Sequence, residues 1–354
     1  MSGRDGPLDP SERDALLRAW IGPGTPYRGV VLAVSGGPDS TALMGCVALV
    51  TTAIPLVVAT VDHGLRSGAR EEAEGVAGLA AGFGLPHRIL PWTGRKPAAR
   101  LQEAARRERY RLLTGLAGEV GADLVLTAHT LDDQAETVLM RLCAGSGPTG
   151  LAGMAPARLL DDPAGARLTL GRPFLSVPKV RLVATCEAHG WPFVRDPSNA
   201  DPRFGRARLR RLLPLLAEEG LSAERLARLA GRLRRDEAAL AQAAAAAFHD
   251  LQRTDPAGKT DPAGEGRLVL DGPGLAALPE AVALRVAGLG LEAIAGHGTA
   301  LRLERLERVL LGEVLPALRA GGTCRRTLGG LLLTARGGRL VLEPEPPRRR
   351  PPAG

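Results

Sequence analysis

The chain has 354 residues, 45% of them hydrophobic, which is enough for two or three packed domains; no stretch approaches the roughly 18 consecutive apolar residues of a membrane span, and the Asp- and Arg-containing N-terminus lacks a signal-peptide core, so a cytoplasmic protein is expected. Four scattered cysteines, Cys46, Cys143, Cys186 and Cys324, form no metal-ligand spacing and read as reduced thiols. The net charge of +8 suits a polyanionic partner, although almost all of it is arginine, in keeping equally with a base-composition bias, and 3% aromatics is too few for a platform that stacks many bases.

From Tyr27 onward, apolar runs alternate with amphipathic stretches, the pattern of a parallel sheet covered by helices. Strands are predicted at Gly29–Val34, Leu56–Val61, His87–Leu90 and Asp123–Ala128, and helices at about Asp39–Val50, Ala69–Phe83, Ala98–Ala117 and Leu131–Cys143. A further strand is expected over Leu168–Phe174, then a helix from Pro178 to Ala188 and an extended Trp191–Arg195. Phe204–Leu251 has helical spacing broken at Pro214 and Gly220. Thr254–Gly266 repeats a turn-forming unit and reads as an exposed loop; its Lys259-Thr260 lacks the earlier glycine of a phosphate loop, since Arg253 stands there. Beyond it, Pro279–Ile294 and Ala300–Leu311 look helical, Arg325–Thr334 pairs with Arg339–Leu342 through Gly337-Gly338 as a hairpin, and Pro346–Gly354 is a Pro- and Arg-rich tail. The expected organisation is an α/β Rossmann-like nucleotide-binding domain over 1–216, a helical linker over 217–253 and a small α+β domain over 254–354.

The strongest local signal is Val31-Leu-Ala-Val-Ser-Gly-Gly-Pro-Asp-Ser40. A buried strand runs through two glycines into a helix, so backbone N–H groups and a helix N-terminus face an anion. Ser35 and Ser40 add hydroxyl donors, and Pro38 suits the first helical turn. Gly36 and Gly37 free the backbone donors to face the anion. A tight turn capped by Asp39 or Ser40 is the plain alternative.

Three other segments stand out. Val61-Asp-His-Gly-Leu-Arg66 follows the second strand, placing Asp62 and His63 at the carboxyl edge where open α/β sheets bind ligands. Ala128-His-Thr-Leu-Asp-Asp-Gln-Ala-Glu-Thr-Val-Leu-Met-Arg141 starts a helix at another such edge, followed by Gly145–Met154. Helical spacing sets Asp133, Glu136, Thr137 and Met140 on one face. Asp132 and Glu136, four residues apart, repel unless a cation such as Mg²⁺ or an ammonium group lies between them. Thr130 with Asp133 also fits a capping box, worth about 1 kcal/mol. Finally come Arg172-Pro-Phe-Leu175, Asp196-Pro-Ser-Asn199 and Arg203-Phe-Gly-Arg-Ala-Arg-Leu-Arg210, in which Arg172 and Arg208 either bind a carboxylate or phosphate or are ordinary exposed arginines.

The Ser35–Ser40 loop resembles the SGGxDS loop of the PP-loop ATP pyrophosphatases, which cleave ATP between its α and β phosphates. Taken in order over Gly29–Leu216, the segments are similar to the tRNA(Ile)-lysidine synthases. That resemblance implies ATP and Mg²⁺ as cofactors and a tRNA(Ile) with a CAU anticodon and free L-lysine as partners, with no membrane and a homodimer left open. It implies adenylation of the wobble cytidine followed by attack of lysine at C2, releasing AMP and pyrophosphate. In that chemistry Ser35, Gly36, Gly37, Pro38, Asp39, Ser40, Asp62 and His63 would hold ATP. Asp39 and Asp133 are the expected metal contacts, His129 and Asp133 the candidate bases beside Asp39, and Glu136, Arg172 and Arg208 the substrate contacts. Ala128, Thr130 and Arg206 depart from the family's usual residues. Rival chemistries within the superfamily need placed cysteines or a glutaminase Cys–His pair, and neither occurs.

Overall fold

A computed structural model describes residues 5–65, 68–97, 99–160, 167–195, 205–253, 266–296 and 303–346. Contacts divide the chain into two units, residues 1–145 with 150–231 and residues 146–149 with 232–354. All of the expected loop over Thr254–Gly266 but its last residue, the Asp196–Asn199 and Arg203-Phe204 segments, Arg66 and most of the C-terminal tail lie outside the described residues.

The first unit runs α1 (Pro10–Ile21), β1 (Val30–Ala33), α2 (Pro38–Ala48), β2 (Leu56–Asp62), α3 (Ala69–Gly82), β3 (His87–Pro91), α4 (Leu101–Glu119), β4 (Leu124–Leu126), α5 (Leu131–Cys143), α6 (Pro148–Leu151), β5 (Ala157–Leu160), β6 (Leu168–Gly171), α7 (Lys179–His189), α8 (Gly205–Glu218) and α9 (Ala223–Leu251), with α6 and α9 crossing the division between units. The sheet order is β3-β2-β1-β4-β6-β5, parallel except for the antiparallel edge strand β5. Alternation along the strands builds two cores. Val30 and Leu32 of β1 and Leu124 and Leu126 of β4 face α1, α2 and α7 through Ile21, Leu43, Met44 and Leu182. Val31 and Val125 face the opposite side, against Leu113, Leu116 and Ala117 of α4. The strand order reverses between β1 and β4, so the loops leaving them flank the crevice where such sheets bind ligands. A third cluster packs α5 through Ala135, Val138 and Leu139 against α8 and the first turns of α9, where Leu226 and Ala230 are buried.

Two expectations for helices change. Pro214 does not break the helix: although its ring removes one N–H bond and crowds the carbonyl four residues back, α8 runs through it, its freed carbonyl on an exposed stretch and its apolar side, Leu209, Leu213 and Leu216, packed on α5. Gly220, at φ +88, does end that stretch. The Trp191–Arg195 segment, expected to be extended, does not join the sheet, and Val194 donates from its N–H to the carbonyl of Gly36 at 2.8 Å.

The second unit holds β7 (Leu268–Asp271), α10 (Gly272–Ala277), α11 (Glu280–Ala295), α12 (Leu303–Val309), a π-helical turn over Leu310–Val314, α13 (Leu315–Arg319), β8 (Cys324–Leu328), β9 (Leu331–Arg336) and β10 (Arg339–Pro344). Its antiparallel sheet has the order β7-β10-β9-β8. The stretch expected as a single strand over Arg325–Thr334 is two strands: Gly329 and Gly330 both take positive φ, 61° and 80°, and form a second tight turn like Gly337-Gly338. The helix expected to end at Leu311 continues through the π turn into α13, and the wider turn accommodates Pro316. Among the described residues no helix is long and apolar enough to cross a membrane.

Candidate active site at the sheet switch point

The loop after β1 closes on itself. Ser35 donates from its N–H to Ser40 Oγ at 3.1 Å, Ser40 Oγ donates to the Gly37 carbonyl at 3.0 Å, and the two hydroxyls lie 3.2 Å apart. Gly36 takes φ +82, and a Cβ there would press on Val76 at 3.1 Å. Gly37 caps α2 without a side-chain hydrogen bond and Pro38 opens its first turn, so the loop presents backbone donors and the positive helix end.

Asp39 points into the crevice. Its Oδ2 accepts from Lys179 Nζ at 2.5 Å, and its Oδ1 is buried without a partner. Burial raises its pKa above the usual carboxylate value; Lys179 opposes that, and the charges of Asp133 and Asp132 add to it. Lys179, at the start of α7, was missed in the sequence. Its rarity was the available signal, since only Lys96, Lys179 and Lys259 are lysines among 46 basic residues.

The start of α5 lies alongside. Thr130 and Asp133 form the capping box: Asp133 Oδ2 accepts from Thr130 N at 2.9 Å, and Thr130 Oγ1 accepts from Asp133 N at 3.3 Å. Asp132 accepts from the Lys179 backbone N–H at 2.7 Å and so caps α7. Glu136, its side chain only 1% exposed, accepts on Oε1 from Arg210 Nε at 2.6 Å, while Oε2 is buried and unpaired. Asp132 and Glu136 thus each have a partner from the chain itself, where a shared external cation was expected. Burial raises the Glu136 pKa, with Arg210 opposing. Met140 faces solvent instead of the crevice.

His129 Nδ1 lies 2.8 Å from Thr127 Oγ1, which itself donates to the Gly171 carbonyl at 3.4 Å. With that hydroxyl proton committed, the ring donates from Nδ1 and Nε2 keeps its lone pair. Burial lowers the His129 pKa to about 4, with Asp133 opposing and Arg172 and Arg106 reinforcing. Arg172, at the end of β6, is 4% exposed; Nη1 donates to the Ala155 carbonyl at 2.6 Å and Nε is buried without a partner.

After β2, Asp62 Oδ1 accepts from Gly64 N at 2.8 Å in a local turn. His63 Nε2 lies 3.3 Å from Arg109 Nη2, and the ring meets Trp92 edge-on. A guanidinium only donates, so Nε2 accepts and the proton of the neutral ring sits on Nδ1, which is buried with no acceptor. Burial, then Arg109, lowers the His63 pKa to about 4. Arg208 lies two residues from Arg210 on α8, hence on another side of the helix, and is exposed.

Buried polar atoms without partners are rare in folded proteins. Among the described residues the side-chain atoms of this kind are Asp39 Oδ1, His63 Nδ1, Glu136 Oε2, Thr137 Oγ1 and Arg172 Nε. All belong to the segments that flank this crevice.

Residues 13–216 match the model of the PP-loop domain family. A tRNA(Ile)-lysidine synthase of Methylobacterium sp. (strain 4-46) is 64% identical over 351 residues, 99% of this chain and 98% of that protein. That of Methylobacterium nodulans is 62% identical over 344 residues, 97% and 98% of the two chains. Among solved structures, the U34-tRNA thiolase NcsA from Methanococcus maripaludis superposes with a TM-score of 0.51 at 17% identity, covering 63% of this chain and 78% of its own, a likeness of fold alone. With full-length identity at this level and a PP-loop closing the switch point of its sheet, the chain belongs to the tRNA(Ile)-lysidine synthase family.

Proposed function

We propose that this chain is an ATP-dependent ligase that adenylates the wobble cytidine of a tRNA(Ile) with a CAU anticodon and then replaces AMP with free L-lysine, forming lysidine. Family membership supports an ATP-using enzyme of tRNA modification. The observation that carries the detailed reading is the set of buried, unpartnered atoms in one crevice. Two are carboxylate oxygens that call for cations, and two are nitrogen donors that call for acceptors. A site that binds both a polyphosphate and an amino acid requires both kinds.

The C2 oxygen of cytidine is a poor leaving group, so it must first attack the α-phosphorus of ATP with departure of pyrophosphate. The Ser35–Ser40 loop and the start of α2 would hold the departing phosphates, with Lys179 close enough to exchange Asp39 for a phosphate oxygen. Asp62 and His63, at the neighbouring strand end, are assigned to ATP, His63 through its Nδ1–H. Mg²⁺ fits the unpaired Asp39 Oδ1, with Asp133 the second contact, and when bound it would neutralise charge on the phosphates; a site of one or two carboxylates completed by phosphate oxygens is its usual environment.

In the second half-reaction an amine of ordinary pKa about 10.4 must lose a proton as it attacks. His129 is our candidate base, a reading supported by an Nε2 that keeps its lone pair, and Asp133 is the alternative. Glu136 Oε2 would receive an ammonium group of lysine, while Arg172 would receive an anionic group. Arg208, away from these residues, is assigned to the tRNA backbone. The C-terminal unit would contribute tRNA affinity, through exposed arginines such as Arg325 and Arg339 on β8 and β10. The deciding experiment incubates the protein with ATP, radiolabelled lysine and either minor isoleucine tRNA or methionine tRNA, followed by nucleoside analysis. Label in lysidine from the isoleucine tRNA alone is expected; no tRNA-dependent label, or equal label in both, would overturn the reading.

A further inference from the structure

Three consecutive carbonyls of the phosphate loop are turned into the protein. That of Gly36 accepts from Val194 N–H at 2.8 Å, that of Gly37 from Thr41 N–H at 2.9 Å and Ser40 Oγ at 3.0 Å, and that of Pro38 from Cys186 Sγ at 3.4 Å. The Gly37 arrangement is local to the first turn of α2, whereas the other two donors come from α7 and the segment after it. In a trans peptide the C=O and N–H point in opposite directions, and among the described residues no peptide is cis. With the Gly36 carbonyl drawn to Val194, the Gly37 N–H is directed away from that segment, and among the described residues it has no acceptor within the chain.

The peptide between Gly36 and Gly37 can turn over at little steric cost. A flip would take Gly37 from φ −73 to a positive φ, which glycine adopts freely. Neither conformation nor packing demands glycine at 37, since that φ suits any residue and a Cβ there would meet only Ser35 Oγ, at 3.8 Å. Its bareness leaves room for an anion and, as a consequence, leaves the peptide free to invert. Inverted, it would turn a carbonyl oxygen to the phosphate in place of an N–H, a repulsion in place of an attraction. The segment that carries the Val194 donor is itself well held. Trp191 donates from its N–H to the Cys186 carbonyl at 2.9 Å, and its ring occupies the space beside Gly45 where a Cβ would stand 2.4 Å away. The ring also meets Phe83 edge-on at 5.7 Å and stacks on His189 at 4.4 Å.

We propose that Val194 is a positioning residue for the first half-reaction: its backbone N–H latches the Gly36–Gly37 peptide in the orientation that offers the Gly37 N–H to the departing pyrophosphate. The inference rests on the ligase reading above and adds to it a residue outside the Ser35–Ser40 loop. One backbone hydrogen bond shifts a two-state equilibrium by up to about tenfold, which sets the size of the effect. The coupling is reciprocal. If the latch strengthens pyrophosphate binding, bound pyrophosphate strengthens the latch by the same factor.

The test replaces single amides of the full chain by esters, using the α-hydroxy acid of valine at 194 or of phenylalanine at 193, introduced by nonsense suppression. Each exchange removes one N–H and keeps the side chain. Among the described residues the Phe193 N–H has no acceptor within the chain, so the ester at 193 is the control. The ester at 194 is expected to raise the inhibition constant of inorganic pyrophosphate about tenfold and to slow tRNA-dependent pyrophosphate release by a similar factor, with tRNA affinity as in wild type. The ester at 193 should do neither. A merely structural role would lower the active fraction, and with it the rate, while leaving the inhibition constant where it was. An unchanged inhibition constant in the 194 ester, or the same rise in the 193 ester, refutes the latch. Wild-type protein supplies a measurement that depends on neither ester folding: in hydrogen–deuterium exchange resolved to single amides, saturating pyrophosphate should slow exchange at Val194 about tenfold and leave Phe193 unaffected. Exchange at Val194 that ignores pyrophosphate would equally refute it. A wild-type protein that releases no pyrophosphate from ATP in the presence of tRNA would sink the ligase reading itself, and the binding and exchange measurements with inorganic pyrophosphate would still judge the latch separately.

Discussion

Replacing Lys179 by Met, a side chain of similar length without the charge, tests whether the Asp39–Lys179 pair organises the pyrophosphate end of the site. Asp39 keeps one buried oxygen unpaired already, so the variant leaves a largely buried carboxylate with no counter-cation. Removing one partner of a fully buried pair costs about 3–5 kcal/mol. The Lys179 side chain is 39% exposed and that of Asp39 20%, so solvent screening reduces the expected cost to about 1–2 kcal/mol. Asp39→Asn in the Lys179→Met background removes the stranded charge, and the double variant should be more stable than Lys179→Met alone. All three tryptophans, Trp20, Trp92 and Trp191, lie in the first unit, so their fluorescence during urea unfolding reports on that unit without interference from the other.

Activity should separate from stability in this cycle. Each single variant is expected to slow tRNA-dependent pyrophosphate release by about 100- to 1,000-fold, the usual cost of losing one preorganised charge or donor at developing phosphate charge. The double variant should regain stability without regaining rate. Two results would refute the reasoning: energies of the single variants that simply add in the double, which would mean that the pair has no coupling, or Lys179→Met releasing pyrophosphate at the wild-type rate.

Four further expectations follow from the same geometry. Glu136→Gln should raise the lysine KM about tenfold while pyrophosphate release largely survives; loss of release as complete as in Asp39→Asn would move Glu136 into the ATP or metal site. Gly45→Ala should destabilise the first unit by about 1–3 kcal/mol, since its Cβ would stand 2.4 Å from the Trp191 ring, and a fluorescence unfolding curve indistinguishable from wild type would contradict that packing. His63 and His129, both with pKa lowered to about 4, should titrate in an NMR series far below the ordinary histidine value. Their neutral forms belong to the folded state, so their contribution to stability is present above about pH 6.5 and is lost as pH falls towards 4; midpoints near 6.5 would exclude the burial described. Arg325→Gln with Arg339→Gln should weaken tRNA binding and reduce the salt slope by about one for each phosphate that is no longer neutralised, and an unchanged slope would remove these strands from the tRNA surface.

What the sequence revealed depended on whether the physics was local. Helix α5 was legible to the residue, Leu131–Cys143, because its capping box and its apolar face are both written within a few positions. The loop of Ser35–Ser40 was legible for the same reason. The antiparallel edge strand β5 was not: three of its four residues are exposed, so it shows neither an apolar run nor alternation. Helix α1 was also missed, its single buried seam at Leu17 and Ile21 being too sparse to stand out. The break at Gly329-Gly330 was hidden because apolar residues continue directly beyond it in Leu331–Leu333. In the site, the residue types were visible and their pairings were not. Lys179 lies 140 residues from Asp39, and Arg210 lies 74 from Glu136, separations that only the sheet order resolves.

That sheet order also explains how one crevice can serve two chemical steps. Because β1 and β4 are neighbours at the reversal, α2 and α5 begin side by side, each bringing a positive helix end and acidic residues of its first turns. The charges of Asp132 and Asp133 reach Asp39, and that of Asp133 reaches Glu136, so full ionisation of the group is costly without cations. Among the described residues, Lys179 and Arg210 hydrogen-bond to these carboxylates, and each engages only one oxygen of its partner. The oxygens left over, Asp39 Oδ1 and Glu136 Oε2, lie on different helices, one beside the phosphate loop and one a turn beyond the cap of α5. A cation arriving with the nucleotide and an ammonium arriving with the amino acid can therefore be accepted independently. This separation is what lets Asp39→Asn and Glu136→Gln be expected to fail at different half-reactions; a common failure would mean that the two oxygens share a single ligand.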